Sequence, residues 1–416
     1  MKTKNKFHNF IIKFRMVKKI SSGVYCWLPL GIKIIKNISN VIKNNFNVIG
    51  AQELHLSYLQ PFILWKKSGR IKKKIIQELN IFYVKNYNSK YILSPSGEEM
   101  ITKLYSMFLQ SYQELGFVLY QINWKFRNEI RVGDGVSRTR EFLMFDAYSF
   151  DKNKNTALIK YENIFSSYLK IFQDLNIKII PIITNGKSMG GNYNHEFHVL
   201  LNEGRDIIYY DKNVVQYLDN KNNFSLHSFQ KFYSSKKNKY YNKTRYNMVT
   251  SNSIEVGHMF YLGKKYSESL NCQYQNKKKK KKFSEMGCYG IGISRLISVL
   301  IKIITKNKKI MWPTKIKPFK IGIISVNTDN TWCNNIAQYI YEEIYKHLGA
   351  TIIFDDTNKT IKKKIKYVDL MGISLLIITR KKSIMSLKIE VKNQITGLVN
   401  YITIDNLIKY VLCFKF

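Results

Sequence analysis

Arg127, Glu129, Arg140 and Phe142 are the side chains whose types and spacing best suit nucleotide chemistry. Guanidinium forks hold phosphate or carboxylate oxygens, an aromatic ring stacks on a base, and a carboxylate accepts from an amino group. The four sit on two runs joined by a turn. Val118, Tyr120, Ile122, Trp124 and Phe126 alternate with Gln121, Asn123, Lys125 and Arg127. This period of two predicts a strand with one buried apolar face and a polar face that carries Arg127 and Glu129. Gly133-Asp134-Gly135 turns the chain. A second strand returns through Arg140, Phe142, Met144 and Asp146, and parity puts Arg140 and Phe142 on one face. In a register that brings the two faces together, one antiparallel floor carries two arginines, a glutamate and a ring. Alternation alone leaves a second reading open, a solvated hairpin with scattered charges, because charged outer faces are normal on antiparallel sheets.

Other residues could join such a floor. Ser96 with Glu98 and Glu99 opens a helix through Met100, Ile101, Leu104 and Phe108, and reads as an N-cap with an acidic first turn. Gly190-Gly191 leads to His195, Glu196 and Phe197, and Gly257-His258 by itself reads as a turn. Met286 to Leu296 places a glycine cluster before a helix that begins near Arg295. A dinucleotide fold would require G-x-G-x-x-G and a later acidic residue. The spacing here differs and residues 302–310 are basic, so the glycines are read as letting backbone approach a ligand closely. Cys288 on its own reads as a buried thiol.

Several elements must position these groups. Ile34, Ile35, Ile38, Val41, Ile42 and Phe46 recur at helical spacing, and Gly50 to Glu53 leads into a strand. Residues 156–175 predict an amphipathic helix, and Ile177 to Ile183 a strand. Lys212 to Ser253 is rich in Lys, Asn, Tyr and Ser and shows no periodicity after Leu218, which marks a connector. Beyond Trp312-Pro313 and Pro318 the order is strand (Phe319 to Val326), helix (Thr331 to Leu348), strand (Thr351 to Phe354), helix (Ile361 to Met371) and strand (Ile373 to Thr379). Two short strands and a helix near Ile404 to Leu412 follow. That alternation is the pattern of an α/β domain.

The 416 residues carry 68 basic and 28 acidic side chains, a formal charge of +40. A balance this basic fits a polyanionic partner, and an AT-rich codon bias, visible in the abundance of Lys, Asn, Ile, Tyr and Phe, supplies part of it through lysine. The lysine run from Lys277 to Lys282 reads as a solvated loop or an RNA contact. None of the five cysteines forms a C-x-x-C pair, which argues against zinc and a disulfide framework and fits a reducing cytosol. No apolar run approaches the ~20 residues that cross a bilayer. The basic N-terminus lacks an apolar signal core, so a cytoplasmic protein is expected.

Phe126-Arg127-Asn128-Glu129, the loop, and Arg140-Glu141-Phe142 resemble motif 2 of a class II aminoacyl-tRNA synthetase. The run on to Asp146-Ala147-Tyr148-Ser149-Phe150 resembles the bacterial-type prolyl-tRNA synthetases in particular. Gly23 to Gly31 with the helix and strand that follow resemble motif 1, and Met286 to Leu296 resembles motif 3. The resemblance implies an α/β fold class: an antiparallel catalytic sheet with flanking helices, then a smaller α/β anticodon-binding domain. The divisions are residues 1–211 and 254–312 for the catalytic domain, 212–253 for the connector and 313–416 for the second domain. It implies ATP and Mg2+ as cofactors. Proline and tRNA(Pro) are the implied partners, with a homodimer and neither membrane nor DNA.

The resemblance also implies roles. Arg127 and Arg295 are catalytic; Arg127, Glu129, Arg138, Arg140, Phe142 and Arg295 bind ATP; Ser96, Glu98, Arg127, His258 and Cys288 shape the proline pocket. Arg131 meets the acceptor stem, and Glu196 is a magnesium ligand. The sequence departs from the pattern at Ser57 for a proline, Ser96-Gly97-Glu98 for Thr-His-Glu, Val132-Gly133-Asp134 for Pro-Arg-Phe, Phe145 for a lysine, and Thr357 for an arginine after Asp355-Asp356. Residues 212–253 are too few for the usual editing insertion, so hydrolysis of alanyl-tRNA in cis is expected to be absent. A threonyl or glycyl specificity on the same scaffold, and an RNA-binding paralogue without activity, are the alternatives. A threonyl enzyme would carry zinc-binding His and Cys ligands, and the paralogue would have lost the ATP arginines.

Overall fold

The computed structural model describes residues 11–12, 14–71, 81–86, 89–130, 132–133, 135–184, 193–219, 225–236, 247–306, 309–326, 331–414 and 416. The chain forms two compact units, one built on Val17–Trp27 and Ile38–Leu300, the other on Lys13–Met16, Leu28–Asn37 and Ile301–Phe416. The predicted helix is α1 (Pro29–Val48), and its six periodic apolar residues are all buried. After it come β1 (Gln52–Glu53), α2 (Glu98–Ser106), β2 (Val118–Phe126), β3 (Glu141–Asp151) and α3 (Lys154–Asp174). Next are β4 (Ile179–Ile183), β5 (Tyr193–Leu200), β6 (Asp206–Asp211), β7 (Met248–Gly263), β8 (Glu285–Gly292) and α4 (Ile293–Ile304).

Nine strands make the sheet of the first unit, in the path β6-β7-β8-β3-β2-β1. Ser234–Ser235 extends it beyond β6, and β5 pairs with both β7 and β4. All pairs but β1–β2 are antiparallel. Lys125 faces Phe142, Asn123 faces Met144 and Gln121 faces Asp146 across β2 and β3. The two polar faces of the hairpin therefore do coincide.

One expectation for β2 is corrected. The apolar face was expected to be the buried one, and Val118 and Tyr120 are buried on it, yet Ile122, Trp124 and Phe126 are only partly buried while Gln121, Asn123 and Lys125 of the polar face are 1, 1 and 0 % exposed. The polar groups tolerate burial because they are paired. Gln121 Oε1 accepts from the backbone N of Leu56 and from Asn123 Nδ2, both at 3.1 Å, and Asn123 Nδ2 also donates to the Leu56 carbonyl. Lys125 Nζ is 2.5 Å from Asp146 Oδ2.

The turn before α2 lies on this face. Its N-cap is Gly97 and no side chain caps it, so the reading of Ser96 as the cap is also corrected. Close approach explains the glycine: a Cβ at 97 would come within 2.5 Å of Tyr148 Oη and 3.3 Å of Gln121 Nε2. Ile101 and Tyr105 of α2 join Tyr148, Phe150, Tyr266 and Met286 in one core cluster. On α3, Phe165 and Tyr168 pack on Phe197 with ring centroids 5.6 and 4.9 Å apart. Phe145, which replaces the lysine of the motif, is fully buried against Phe46 and Tyr120.

Within 212–253 the described residues form a helix at Asn213–Asp219, a helical turn at Leu226–Phe229, the Ser234–Ser235 strand and the start of β7. Asp151, 2 % exposed at the end of β3, has its carboxyl pushed up to about 6, first by burial and then by Glu285, against the pull of Lys160 and Ser149. Such a group contributes stability while protonated, below the unfolded value, and loses it as pH rises through about 6. An Asp151→Asn variant is therefore expected to gain roughly 2 kcal/mol over the parent between pH 4 and pH 7.5. Parallel urea melts at the two pH values check this, and an unchanged difference would contradict it.

The second unit holds a five-stranded sheet in the order β10-β9-β11-β12-β13. These are β9 (Ile321–Ser325), β10 (Ile352–Asp355), β11 (Leu375–Thr379), β12 (Lys388–Asn393) and β13 (Val399–Thr403). Pairing is parallel around β9 and antiparallel from β11 onward. Its helices are α5 (Thr331–Leu348), α6 (Ile361–Met371) and α7 (Ile404–Cys413), as the alternation predicts, with an unpredicted short helix at Lys381–Met385. Gly372 closes α6 at φ 66°, a left-handed cap that suits glycine.

Candidate active site

A cavity of about 360 Å³ opens over β2, β3, β7 and β8. Arg127, Glu129, Arg138, Phe142 and Arg295 line one part of it, and Ser96, Glu98, His258, Phe260 and Cys288 another. Nine of the side chains singled out in the sequence thus share one space. Arg140 is not among its lining: its Nη1 donates to the Ser22 carbonyl at 3.2 Å. Arg131 lies outside the described residues.

Arg127 follows the last residue of β2, where its Nε and Nη2 both donate to the Pro95 carbonyl at 3.2 and 3.1 Å. Its guanidinium sits 5.1 Å from the centre of the Phe142 ring, a stacked pose that fixes the fork. Burial lowers its pKa, against the pull of Asp146 and Glu98, and the group stays a cation. Glu129 Oε2 accepts from Arg138 Nε and Nη2, both at 2.9 Å. Arg295, in the first turn of α4, donates through Nε to the Ser137 carbonyl and through Nη1 to the Glu255 carbonyl. Gly290 and Gly292 give the floor in front of it no side chain.

The other part of the cavity is anionic. Glu98 is 3 % exposed, its Oε2 is 3.1 Å from Arg70 Nη1 and its Oε1 accepts from the Cys288 thiol at 3.3 Å. Burial, the largest influence, raises the Glu98 carboxyl, but Arg70 and the hydrogen bonds of Ser96 and Cys288 together hold it below its ordinary value. Burial and the neighbouring Glu98 charge push the Cys288 thiol well up, so it remains a neutral donor. His258 stacks on Phe260 at 3.7 Å and lies 3.2 Å from Glu255 Oε1 through Nδ1.

Glu196 is not in the cavity lining. Its Oε2 takes His198 Nε2 at 2.8 Å and Lys236 Nζ at 2.6 Å. Ligand atoms of Glu196, Glu255 and His258 nevertheless lie within 4.8 Å of one another. His195 is 1 % exposed with Nδ1 2.8 Å from Tyr161 Oη, and burial followed by the His258 charge lowers its pKa to about 3. It is a packed neutral imidazole.

Sequence reasoning missed four lining residues. Lys125 and Asp146 form their buried ion pair on the floor itself, and their parity with Arg127 and Phe142 was the available signal. Glu255, held down to about 2 against burial by His258, Arg295 and Lys236, sits three residues before His258. Arg70 ends the run Pro61 to Arg70, which resembles the same family, but was given no role there.

Residues 82–304 match the family described as tRNA synthetase class II core domain (G, H, P, S and T), and residues 320–414 match the anticodon binding domain. A proline–tRNA ligase of Ehrlichia canis is 37 % identical over 391 residues, 93 % of this chain and 90 % of that one. One of Rickettsia canadensis is 36 % identical over 409 residues, covering 97 and 92 %. The prolyl-tRNA synthetase of Giardia lamblia, solved in complex with prolyl-adenylate, superposes with a TM-score of 0.74 at 18 % identity over 98 % of this chain and 77 % of that one. The Cryptosporidium parvum enzyme with halofuginone and AMPPNP gives 0.73 at 16 % over 98 and 74 %. With its cationic and anionic cavity walls side by side on one antiparallel floor, and with these relatives over nearly its whole length, the chain belongs to the proline–tRNA ligases, class II aminoacyl-tRNA synthetases.

Proposed function

We propose that the cavity over β2 and β3 makes prolyl-adenylate from proline and ATP and passes the prolyl group to tRNA(Pro). The observation that carries this is the adjacency of the Arg127 fork to the buried Glu98 carboxylate: one suits a carboxylate and phosphate, the other a ring ammonium, and proline presents both charges a few bonds apart. In the first step a proline carboxylate oxygen attacks the α-phosphorus and pyrophosphate leaves. In the second, the terminal ribose hydroxyl of tRNA attacks the acyl carbon and AMP leaves. No covalent enzyme intermediate is required, so alignment and charge stabilisation supply the rate.

Arg127 bridges the carboxylate and α-phosphate, Phe142 and Arg295 enclose the adenine, and Glu129 takes its amino group. Arg138 and Arg140 steady the phosphates, which requires both to leave the partners they have here, Glu129 and the Ser22 carbonyl. Ser96, Glu98, His258 and Cys288 receive the proline ring, and Arg131 contacts the acceptor stem. Magnesium favours one or two carboxylates with the remaining sites on water and substrate phosphate, and Glu196 and Glu255, both shifted toward the ionised form, fit that demand. When bound there it offsets phosphate charge. Formation of prolyl-adenylate from proline and ATP, followed by mass spectrometry of the quenched complex, tests this reading; a folded protein that forms none would end it.

The wider assignment has residues 1–211 and 254–312 as catalytic domain, 313–416 as anticodon-binding domain, and a cytosolic homodimer. No helix among the described residues is long and apolar enough to cross a membrane. Residues 212–253 stand where an editing insertion would be, and they are too short to hydrolyse alanyl-tRNA in cis. Exclusion of alanine then rests on the pocket alone, which rejects a smaller analogue by on the order of 10²-fold. Stable alanyl-tRNA(Pro) is expected to accumulate with labelled alanine, and added enzyme should not shorten its half-life. Rapid enzyme-dependent deacylation would contradict the loss of editing.

A further inference from the structure

Arg70 lies far from the hairpin in sequence and yet reaches the cavity, where it is 1 % exposed. Its Nη1 alone donates to Ser96 Oγ at 2.9 Å, Glu98 Oε2 at 3.1 Å and Glu99 Oε2 at 3.0 Å. All three acceptors lie within four residues, at the turn before α2 and in its first turn. The guanidinium is itself fixed, 4.6 Å from the centre of the Trp65 ring. Trp65 Nε1 donates to Gln60 Oε1 at 2.8 Å, and Gln60 Nε2 returns to the same turn through Ser94 Oγ and the Ser96 carbonyl at 2.9 and 3.0 Å. The segment from Gln60 to Arg70 therefore holds four residues of the 94–99 stretch, Ser94, Ser96, Glu98 and Glu99.

The arrangement has a consequence for charge. Two carboxylates share one guanidinium in a buried space. Arg70 occupies one oxygen of Glu98, and the other meets the neutral Cys288 thiol. A cationic ring ammonium entering from the cavity finds an oxygen whose position the arginine has already set. Arg70 acts through Glu98 and Ser96, the two cavity residues that its Nη1 holds.

We propose that Arg70 is the positioning residue of the amino-acid pocket, fixing Glu98 and Ser96 through one shared nitrogen so that the ammonium of proline meets a pre-set carboxylate. This rests on the proline reading of that pocket. A charge-assisted hydrogen bond made to a correctly placed partner is worth about 1.5–3 kcal/mol, roughly 10- to 100-fold in affinity. The test is ATP–pyrophosphate exchange with the full-length parent, Arg70→Lys and Arg70→Met, measuring the KM for proline, the KM for ATP and kcat, with thermal melts as the check on folding. The expected result is a proline KM raised about 10-fold by lysine and about 100-fold by methionine, with kcat and the ATP KM within about threefold of the parent.

Removing the charge entirely leaves two buried carboxylates unpaired and can unfold the methionine variant. The lysine variant keeps the charge and then decides the question alone. A folded Arg70→Lys enzyme whose proline KM stays within about threefold of the parent, or whose proline and ATP KM rise together, overturns the proposal. A parent with no proline-dependent exchange overturns the proline reading as well, so the two failures are distinct.

Discussion

Replacement of Arg127 by alanine is expected to lower kcat for proline-dependent ATP–pyrophosphate exchange by about 10³-fold while the melting temperature changes little. The side chain is bound to one carbonyl, Pro95, and rests on one ring, Phe142, so its loss strands no buried carboxylate. Its two donated bonds anchor the Nε and Nη2 edge and leave the Nη1 end of the fork for a ligand. On the proposed reaction that end meets charge that grows as pyrophosphate departs, and a pre-aimed donor in a site shielded from water is where such charge is stabilised most. Arg127→Lys should fare nearly as badly, because an ammonium cannot hold the carbonyl and span two ligand oxygens in one plane. Steady-state exchange with both variants decides it. A folded alanine variant within about tenfold of the parent rate would remove Arg127 from the chemistry.

The second large effect is expected at Glu98. Glu98→Gln keeps the shape and removes the charge, and should raise the KM for proline about 100-fold while the KM for ATP stays within about threefold. Glu98 is 3 % exposed and flanked by Arg70 and Cys288. A glutamine keeps one acceptor oxygen and turns the other into a donor, so it cannot accept from both Arg70 and Cys288 as Glu98 does, and the loss combines the missing charge with one missing acceptor. Arg70 would keep Glu99 as its counter-charge, which favours a folded variant. An unchanged proline KM in that variant would mean that the ammonium binds elsewhere.

The hairpin was legible because its signals are local: a period of two, a glycine turn and a return run whose parity matched. Which of its faces would be covered was not legible. Alternation says which residues share a face, and the cover over Gln121, Asn123 and Lys125 comes from Leu56 and the turn at Gly97, remote segments with no periodicity. Lys125 lay on the face not expected to be covered, for the same reason. Arg70 was given no role because its three acceptors belong to another stretch of the chain, and the resemblance gave Glu196 as a magnesium ligand with no sign that Lys236 and His198 engage it. The alternation of the second unit carried nearly every element, since apolar strands and amphipathic helices are each written in consecutive residues. Its strand ends moved inward, from Phe319 to Ile321 and from Ile373 to Leu375, because backbone pairing rather than apolar pattern ends a strand. The two-residue strand at Ser234–Ser235 is too short to leave any pattern.

The most direct test of the central claim is ATP–pyrophosphate exchange by the purified full-length chain with magnesium, run in parallel with proline, alanine and threonine. Strong exchange is expected with proline, a signal weaker by on the order of 10²-fold with alanine, and none above background with threonine. Folded protein that exchanges with none of the three, or with threonine ahead of proline, would contradict it.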